Sequence, residues 1–225
     1  VIRSVAEGLR LANAASEPIA SKILARTARL ALDQGDLVTS SRLAETLTTE
    51  GLSKKEVSLF VLTKAQLAFN TGDTEAALRI LTSESLNLLD LSQATQIEGS
   101  LLLADTYLTK NRFYASARER VLIHHLLEES EQRANINAIY ETLLNLPTPI
   151  LTAYAKKSIS NEIRGWLSLS AMSKQFQNRP SQQLRALGNW KKLWTGHSAA
   201  KNLPDSLAFL NLVVAEQPNI LGIVL

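Results

Sequence analysis

One short pattern recurs in the first half of this 225-residue chain and limits its fold more than any other feature. An alanine is followed seven residues later by a turn residue, and five residues after that by a small residue, in segments 23–47, 60–84 and 101–123. The alanines are Ala28, Ala65 and Ala104, spaced 37 and then 39 residues apart; the turns are Gly35-Asp36, Gly72-Asp73 and Asn111-Arg112; the small residues are Ser40, Ala77 and Ser116. Small residues where two antiparallel helices cross let the backbones approach closely. Gly and Asn tolerate the left-handed dihedrals that end a first helix. Asp36 and Asp73 then suit the start of a second helix, where a carboxylate meets free N–H groups. The third copy is degraded, with Arg120 where the second has Leu81.

A repeat of this length, built from two helices and a turn, resembles the tetratricopeptide family, whose period of about 34 residues is slightly shorter. The composition agrees. Leu and Ala dominate, while Gly (9) and Pro (6) are scarce, and these are the residues that helices favour and exclude. The periodicity predicts an all-α fold, with helices over 3–15, 19–34, 37–50, 54–70, 73–84, 93–110, 113–129 and 132–145. Ser53 and Ser92 are predicted N-caps and Gly51 a stop. Pro147 and Pro149 interrupt the pattern, and further helices follow at 149–157, 161–177, 180–194 and 204–216. Short loops make sequential helices antiparallel neighbours, stacked as a superhelix whose concave face is the usual binding surface. The division expected is 1–146 as tetratricopeptide-like repeats and 147–216 as a C-terminal helical subdomain. Residues 217–225 are expected to form a linker and the first strand of a truncated α/β domain, read from the apolar run Ile220-Leu221-Gly222-Ile223-Val224-Leu225. The chain starts mid-pattern without Met, so both ends are expected to have been cut from a longer protein.

Catalytic signatures are missing. There is no Cys, and hence no disulfide, thiolate metal site or Cys nucleophile. No Gly-x-Ser-x-Gly elbow or Gly-rich phosphate loop occurs. His124 and His125 with Glu128 and Glu129 make His–Glu pairs four apart, but adjacent helical residues diverge by about 100°, so a structural role is preferred to a metal site. Glu7, Glu98, Glu141 and Glu162 read as surface or ion-paired acids. The net charge of +3 is interleaved rather than segregated, so no nucleic-acid partner is expected. No cofactor and no metal are expected. Lys110, Arg112, Arg118 and Arg120 read as a solvated helix end, and Lys191 and Lys192 as neighbours of a packed Trp190–Trp194 pair.

The C-terminal third holds a more specific pattern: Gly165-Trp166-Leu167 opening a helix, Trp190 and Trp194 four apart, His197-Ser198-Ala199-Ala200, then Pro204, and Gln217-Pro218 leading into the apolar run. This resembles the signature of the LpoA (LppC) family of outer-membrane lipoproteins just before their second domain. Trp194 stands where that family usually has Tyr, and Thr195-Gly196 replaces its usual turn; both changes conserve shape. In this resemblance Gly165, Trp166, Leu167, Trp190, Trp194, His197 and Pro204 are structural. The resemblance implies a periplasmic protein held at the inner leaflet of the outer membrane by an N-terminal lipid anchor that this fragment lacks. It also implies a non-enzymatic activator of the transpeptidase of a bifunctional (class A) penicillin-binding protein. The family's second, periplasmic-binding-protein-like domain would make most of the contact with that synthase. The present chain would be a spacer and adaptor, with peptidoglycan or other envelope proteins as further partners.

Two other readings stay open on the sequence. One is the superhelical part of a periplasmic lytic transglycosylase, although the only Met, Met172, lies in no catalytic motif of that class. The other is a tetratricopeptide adaptor that binds a peptide tail. For any partner surface, the residues singled out are Asn70, Tyr107 and Tyr114, expected on the concave face.

Overall fold

The computed structural model describes residues 2–216. Its regular structure is helical throughout: α1 (Val5–Ala14), α2 (Ile19–Asp33), α3 (Leu37–Thr46), α4 (Lys54–Asn70), α5 (Thr74–Leu81), α6 (Gln93–Thr109), α7 (Phe113–Ile123), α8 (Glu129–Leu144), α9 (Thr148–Lys157), α10 (Asn161–Phe176), α11 (Pro180–Leu193), α12 (Ser198–Lys201) and α13 (Asp205–Glu216). The strand expected at 220–225, and the lead-in from residue 217, lie outside the described residues.

The repeat chemistry is visible atom by atom. Ala28, Ala65, Ala104, Ser40, Ala77 and Ser116 are all fully buried. At the first crossing, Ser40 Oγ on α3 donates to the carbonyl of Ala28 on α2 at 2.9 Å, so the small residue also satisfies its own hydroxyl. Gly35, Gly72 and Asn111 are all left-handed, with φ of +78°, +86° and +55°. Gly35 N–H donates to Leu32 O and Asp36 N–H to Ala31 O; Gly72 N–H donates to Phe69 O and Asp73 N–H to Ala68 O. This paired pattern closes the end of a helix on a left-handed residue. The same aspartates then open the next helix, Asp36 accepting from Thr39 N and Asp73 from Ala76 N. In the degraded third copy Arg112 holds the cap position without a side-chain cap bond.

The first compact unit ends at Lys110 and holds α1 to α6. Within it α2 packs on α1, α3 and α4, and α4 on α5 and α6. Ala25, Leu32, Ala44, Phe60 and Leu67 form one core, and Leu62, Ala65, Leu81, Leu91 and Leu102 the next. The buried hydroxyls of Thr27, Thr63 and Thr106 donate to the carbonyls of Ile23, Leu59 and Leu102, one turn back in their own helices.

The second unit begins at Asn111 and holds α7 to α13. It is arranged about α10, which packs on α7, α8, α9, α11 and α12. One core joins Ala117, Ile136, Ile139 and Leu143 to Leu151, Trp166, Leu167, Leu187 and Leu207. That core lies on both sides of Pro147 and Pro149, so these prolines open α9 within a unit. The sequence places a boundary after residue 146; by compactness the chain divides after Lys110, at the left-handed turn of the third repeat.

Most helix ends agree with the periodicity, and the exceptions have local causes. The helix expected over 37–50 stops at Thr46, ahead of Thr48 and Thr49 and a left-handed Gly51. The helix expected over 113–129 stops at Ile123, and His124–Leu126 form a tight 3-10 turn. Glu128 is the N-cap of α8, in a reciprocal capping box with Glu131, so α8 starts earlier than the expected residue 132.

Gly35 and Gly72 have open space where a Cβ would sit, so alanine there costs backbone strain alone. Gly72→Ala is expected to lower stability by about 1–2 kcal/mol in guanidinium unfolding. Gly188→Ala, in the helical and open interior of α11, is expected to raise it by about 0.5–1 kcal/mol. The same sign at both sites would contradict the assignment.

Candidate functional site

Seven of the residues singled out in the sequence lie in the second unit, and His197 gathers most of them. Its imidazole is buried, with Trp166, Trp190 and Trp194 each edge-on to it at centroid distances of 5.6, 5.5 and 5.8 Å. Trp190 and Trp194 stack at 6.1 Å, and Trp190 Nε1 donates to Ser168 Oγ at 2.7 Å. His197 Nδ1 accepts from Ala199 N at 3.0 Å, which caps the short α12. That bond fixes the proton on Nε2, which donates to the carbonyl of Glu162 at 2.6 Å. Ser198 Oγ in turn donates to the Glu162 carboxylate. Gly165 makes this possible, since a Cβ there would stand 2.2 Å from the His197 ring. Leu167 is fully buried in the same core, and Pro204 is buried at the entry to α13. With both ring nitrogens engaged, this histidine fastens the turn before α12 onto α10 and has no free nitrogen for proton transfer or metal.

Other polar contacts in this unit are also structural. Lys174 Nζ donates to the carbonyls of Leu144 and Leu146, closing the end of α8. Asp205, at the start of α13, accepts from both Arg133 and Asn137, and these bonds hold its carboxyl below the usual range. His124 is half-buried beside Asn135, and burial pushes its pKa down; His125 is exposed. Among the described residues no three His, Asp or Glu side chains converge as a metal site, and no helix is long and apolar enough to cross a membrane.

The three residues chosen for a partner surface are divided between the units, Asn70 and Tyr107 in the first and Tyr114 in the second. Asn70 ends α4, exposed, and accepts from Gln66 Nε2 at 3.0 Å. Tyr107 is half-buried on α6 of the first unit. Tyr114 belongs to the second unit, where its ring stacks on Tyr154 at 4.5 Å and packs against the core.

A different surface, which the sequence reading passed over, has the form of a site. Two depressions, of about 520 and 260 Å³, flank α2 in the first unit. The larger is lined by Ile19, Ile23 and Leu30, the smaller by Ala25, Leu59 and Phe60, and both are bordered by Lys22 and Arg26. The signal was present as Lys22, Arg26 and Arg29, one cationic stripe at helical spacing. Arg29 is ion-paired with Asp33 at 2.9 Å and with Glu98, across on α6, at 2.5 Å.

The model of a family described as LppC putative lipoprotein matches residues 9–225. The chain is 23% identical over 190 residues to a Photobacterium profundum protein named penicillin-binding protein activator LpoA, covering 84% of this chain and 31% of that protein. A protein of the same name from Dickeya chrysanthemi is 26% identical over 179 residues, covering 78% and 25%. The chain thus spans under a third of these relatives' length. Among solved structures, the amino-terminal domain of E. coli LpoA matches with a TM-score of 0.71 at 20% identity over 92% of both chains. Full-length Haemophilus influenzae LpoA matches with 0.67 at 19% identity over 93% of this chain and 38% of that one. These likenesses establish the helical fold.

His197→Ala would empty a space among three indoles and uncap α12, with an expected cost of about 3–5 kcal/mol in thermal or denaturant unfolding. Gly165→Ala is expected to be destabilising through its contact with the same ring. A loss below about 1 kcal/mol for His197→Ala would show that the turn holds without it.

Proposed function

Because the chain belongs to the LppC family of putative lipoproteins, we propose that it is a non-catalytic helical module of an envelope lipoprotein that activates a penicillin-binding protein. The observation that supports this most is the family match over residues 9–225, together with one fold shared over nine-tenths of an LpoA amino-terminal domain. The relatives' name supplies the partner class. The site geometry is consistent with it. The most concentrated polar network, around His197, is saturated internally, and what the first unit presents outward is a helical face with depressions in it.

The finer reading is what the sequence resemblance implies. The full protein would sit in the periplasm, anchored by lipid to the inner leaflet of the outer membrane. It would stimulate the transpeptidase of a bifunctional, class A synthase, chiefly through a second domain. The present module would set the reach of that domain and offer a surface of its own, on which Asn70, Tyr107 and Tyr114 are candidate contacts. The lytic transglycosylase and free-standing adaptor readings have no support among these relatives.

The test is a reconstituted cross-linking assay with a purified bifunctional synthase and its lipid-linked precursor. Adding the full-length protein is expected to raise the fraction of cross-linked stem peptides. Alanine at Asn70, Tyr107 and Tyr114 is expected to reduce that rise with helicity unchanged. No rise with the full-length protein contradicts the activator reading, and an unchanged rise discards the three contacts.

A further inference from the structure

The flank of α2 carries more positive charge than the fold pairs, since Lys22 and Arg26 share the one carboxylate of Glu56. Lys22 Nζ and Arg26 Nη2 each lie 3.7 Å from the Glu56 carboxylate, beyond hydrogen-bond reach. Glu56 is already committed. Its Oε2 accepts from Ser53 N at 3.0 Å and Ser53 Oγ at 2.8 Å to close the capping box of α4, and the Ser53 N–H in particular holds its pKa down. Two cations thus share one carboxylate that serves another purpose. Exposed Lys55, on the rim of the smaller depression, has no ionic partner among the described residues. Neighbouring Arg29, with two carboxylates of its own, shows what a neutralised cation looks like on the same helix.

Between these charges the surface is apolar and recessed. Ile19 is 55% exposed at the edge of the larger depression, with Ile23 and Leu30 behind it, and Leu59 and Phe60 line the smaller one. We propose that this flank docks an acidic, leucine-rich peptide segment of a protein partner. Its carboxylates would pair with Lys22, Arg26 and Lys55, and its aliphatic side chains would enter the two depressions. Charge complementarity selects the acid, and the recessed aliphatic lining selects a peptide. An anionic polysaccharide has no side chains to fill such hollows, and recessed residues do not reach the acyl chains of a membrane. This deepens the interaction-module reading and rests on it.

The experiment is fluorescence anisotropy of the 225-residue chain with a labelled short peptide of alternating leucine and glutamate, beside its leucine–glutamine counterpart. Polygalacturonate serves as competitor. The glutamate peptide is expected to bind, and added salt to weaken it. The pair Lys22→Gln and Arg26→Gln should weaken it about tenfold, and so should the change to the glutamine peptide, while Arg26→Lys retains binding. Circular-dichroism melts check that the variants fold; if the double variant does not, Lys55→Gln alone gives the reading, with weaker binding expected. Absence of binding, indifference to these substitutions, or equal displacement by polygalacturonate overturns the proposal. Failure here with cross-linking still stimulated by the full-length protein discards the groove and leaves the module; loss of stimulation with peptide binding intact does the reverse.

Discussion

Close approach at a few backbone crossings is the constraint on which the rest of the structure depends. Helices packed about ridges and grooves stand 8–10 Å apart, and the smallest side chains set the lower end of that range. Here the crossings use the smallest residues available. Gly8 of α1 lies over Thr27 of α2, where a Cβ would meet the hydroxyl at 2.2 Å. Ser40 bonds the carbonyl of Ala28. Gly99 of α6 faces Leu88, and Gly165 of α10 faces the His197 ring. Each contact lets the flanking Leu, Ile and Phe stripes close over one another, and hydrophobic burial along those stripes supplies the stability. A larger residue at any crossing would act on the whole neighbouring core.

The two units meet this constraint differently. In the first, the same helix–turn–helix unit is repeated, with Gly35-Asp36 and Gly72-Asp73 ending one helix and starting the next by the same three bonds. In the second, helices of unlike length gather around α10. Single polar side chains fasten its surroundings: Lys174 at the end of α8, His197 at α12 and Trp190 through Ser168. The left-handed turn of the third repeat, Asn111, begins the second unit, where the repeat has already lost its capping aspartate to Arg112.

How much of this was legible follows the range of each interaction. The buried alanines, left-handed turns and Asp caps depend on residues within a dozen positions, and all were readable from the repeat. The shortened α3 was missed because Thr48, Thr49 and the left-handed Gly51 end it ahead of its periodicity, and the stop at Ile123 because a capping box at Glu128 and Glu131 outweighs helical periodicity that continues through it. The compact division at Lys110 rests on a core joining Ala117 to Leu207, a long-range fact that no local pattern carries. Pro147 and Pro149 mark only a local break. The cluster of Gly165, three Trp and His197 was legible as a set of residues, but its hydrogen bonds join positions some 35 apart. The depressions beside α2 went unread because whether Lys22 and Arg26 are neutralised depends on where Glu56 lies.

The proposed role joins these features. A repeat whose crossings are tightly packed gives a firm face, and that face carries an excess of cations over carboxylates beside apolar hollows. The central claim is that this part of the protein holds a partner and performs no chemistry of its own. Its most direct test is calorimetric titration of the 225-residue chain into the purified periplasmic region of a bifunctional penicillin-binding protein. The prediction is saturable binding at a Kd of about 1 μM or tighter, equivalent to about −8 kcal/mol. Absence of binding, under conditions in which the full-length protein binds that region, would contradict it.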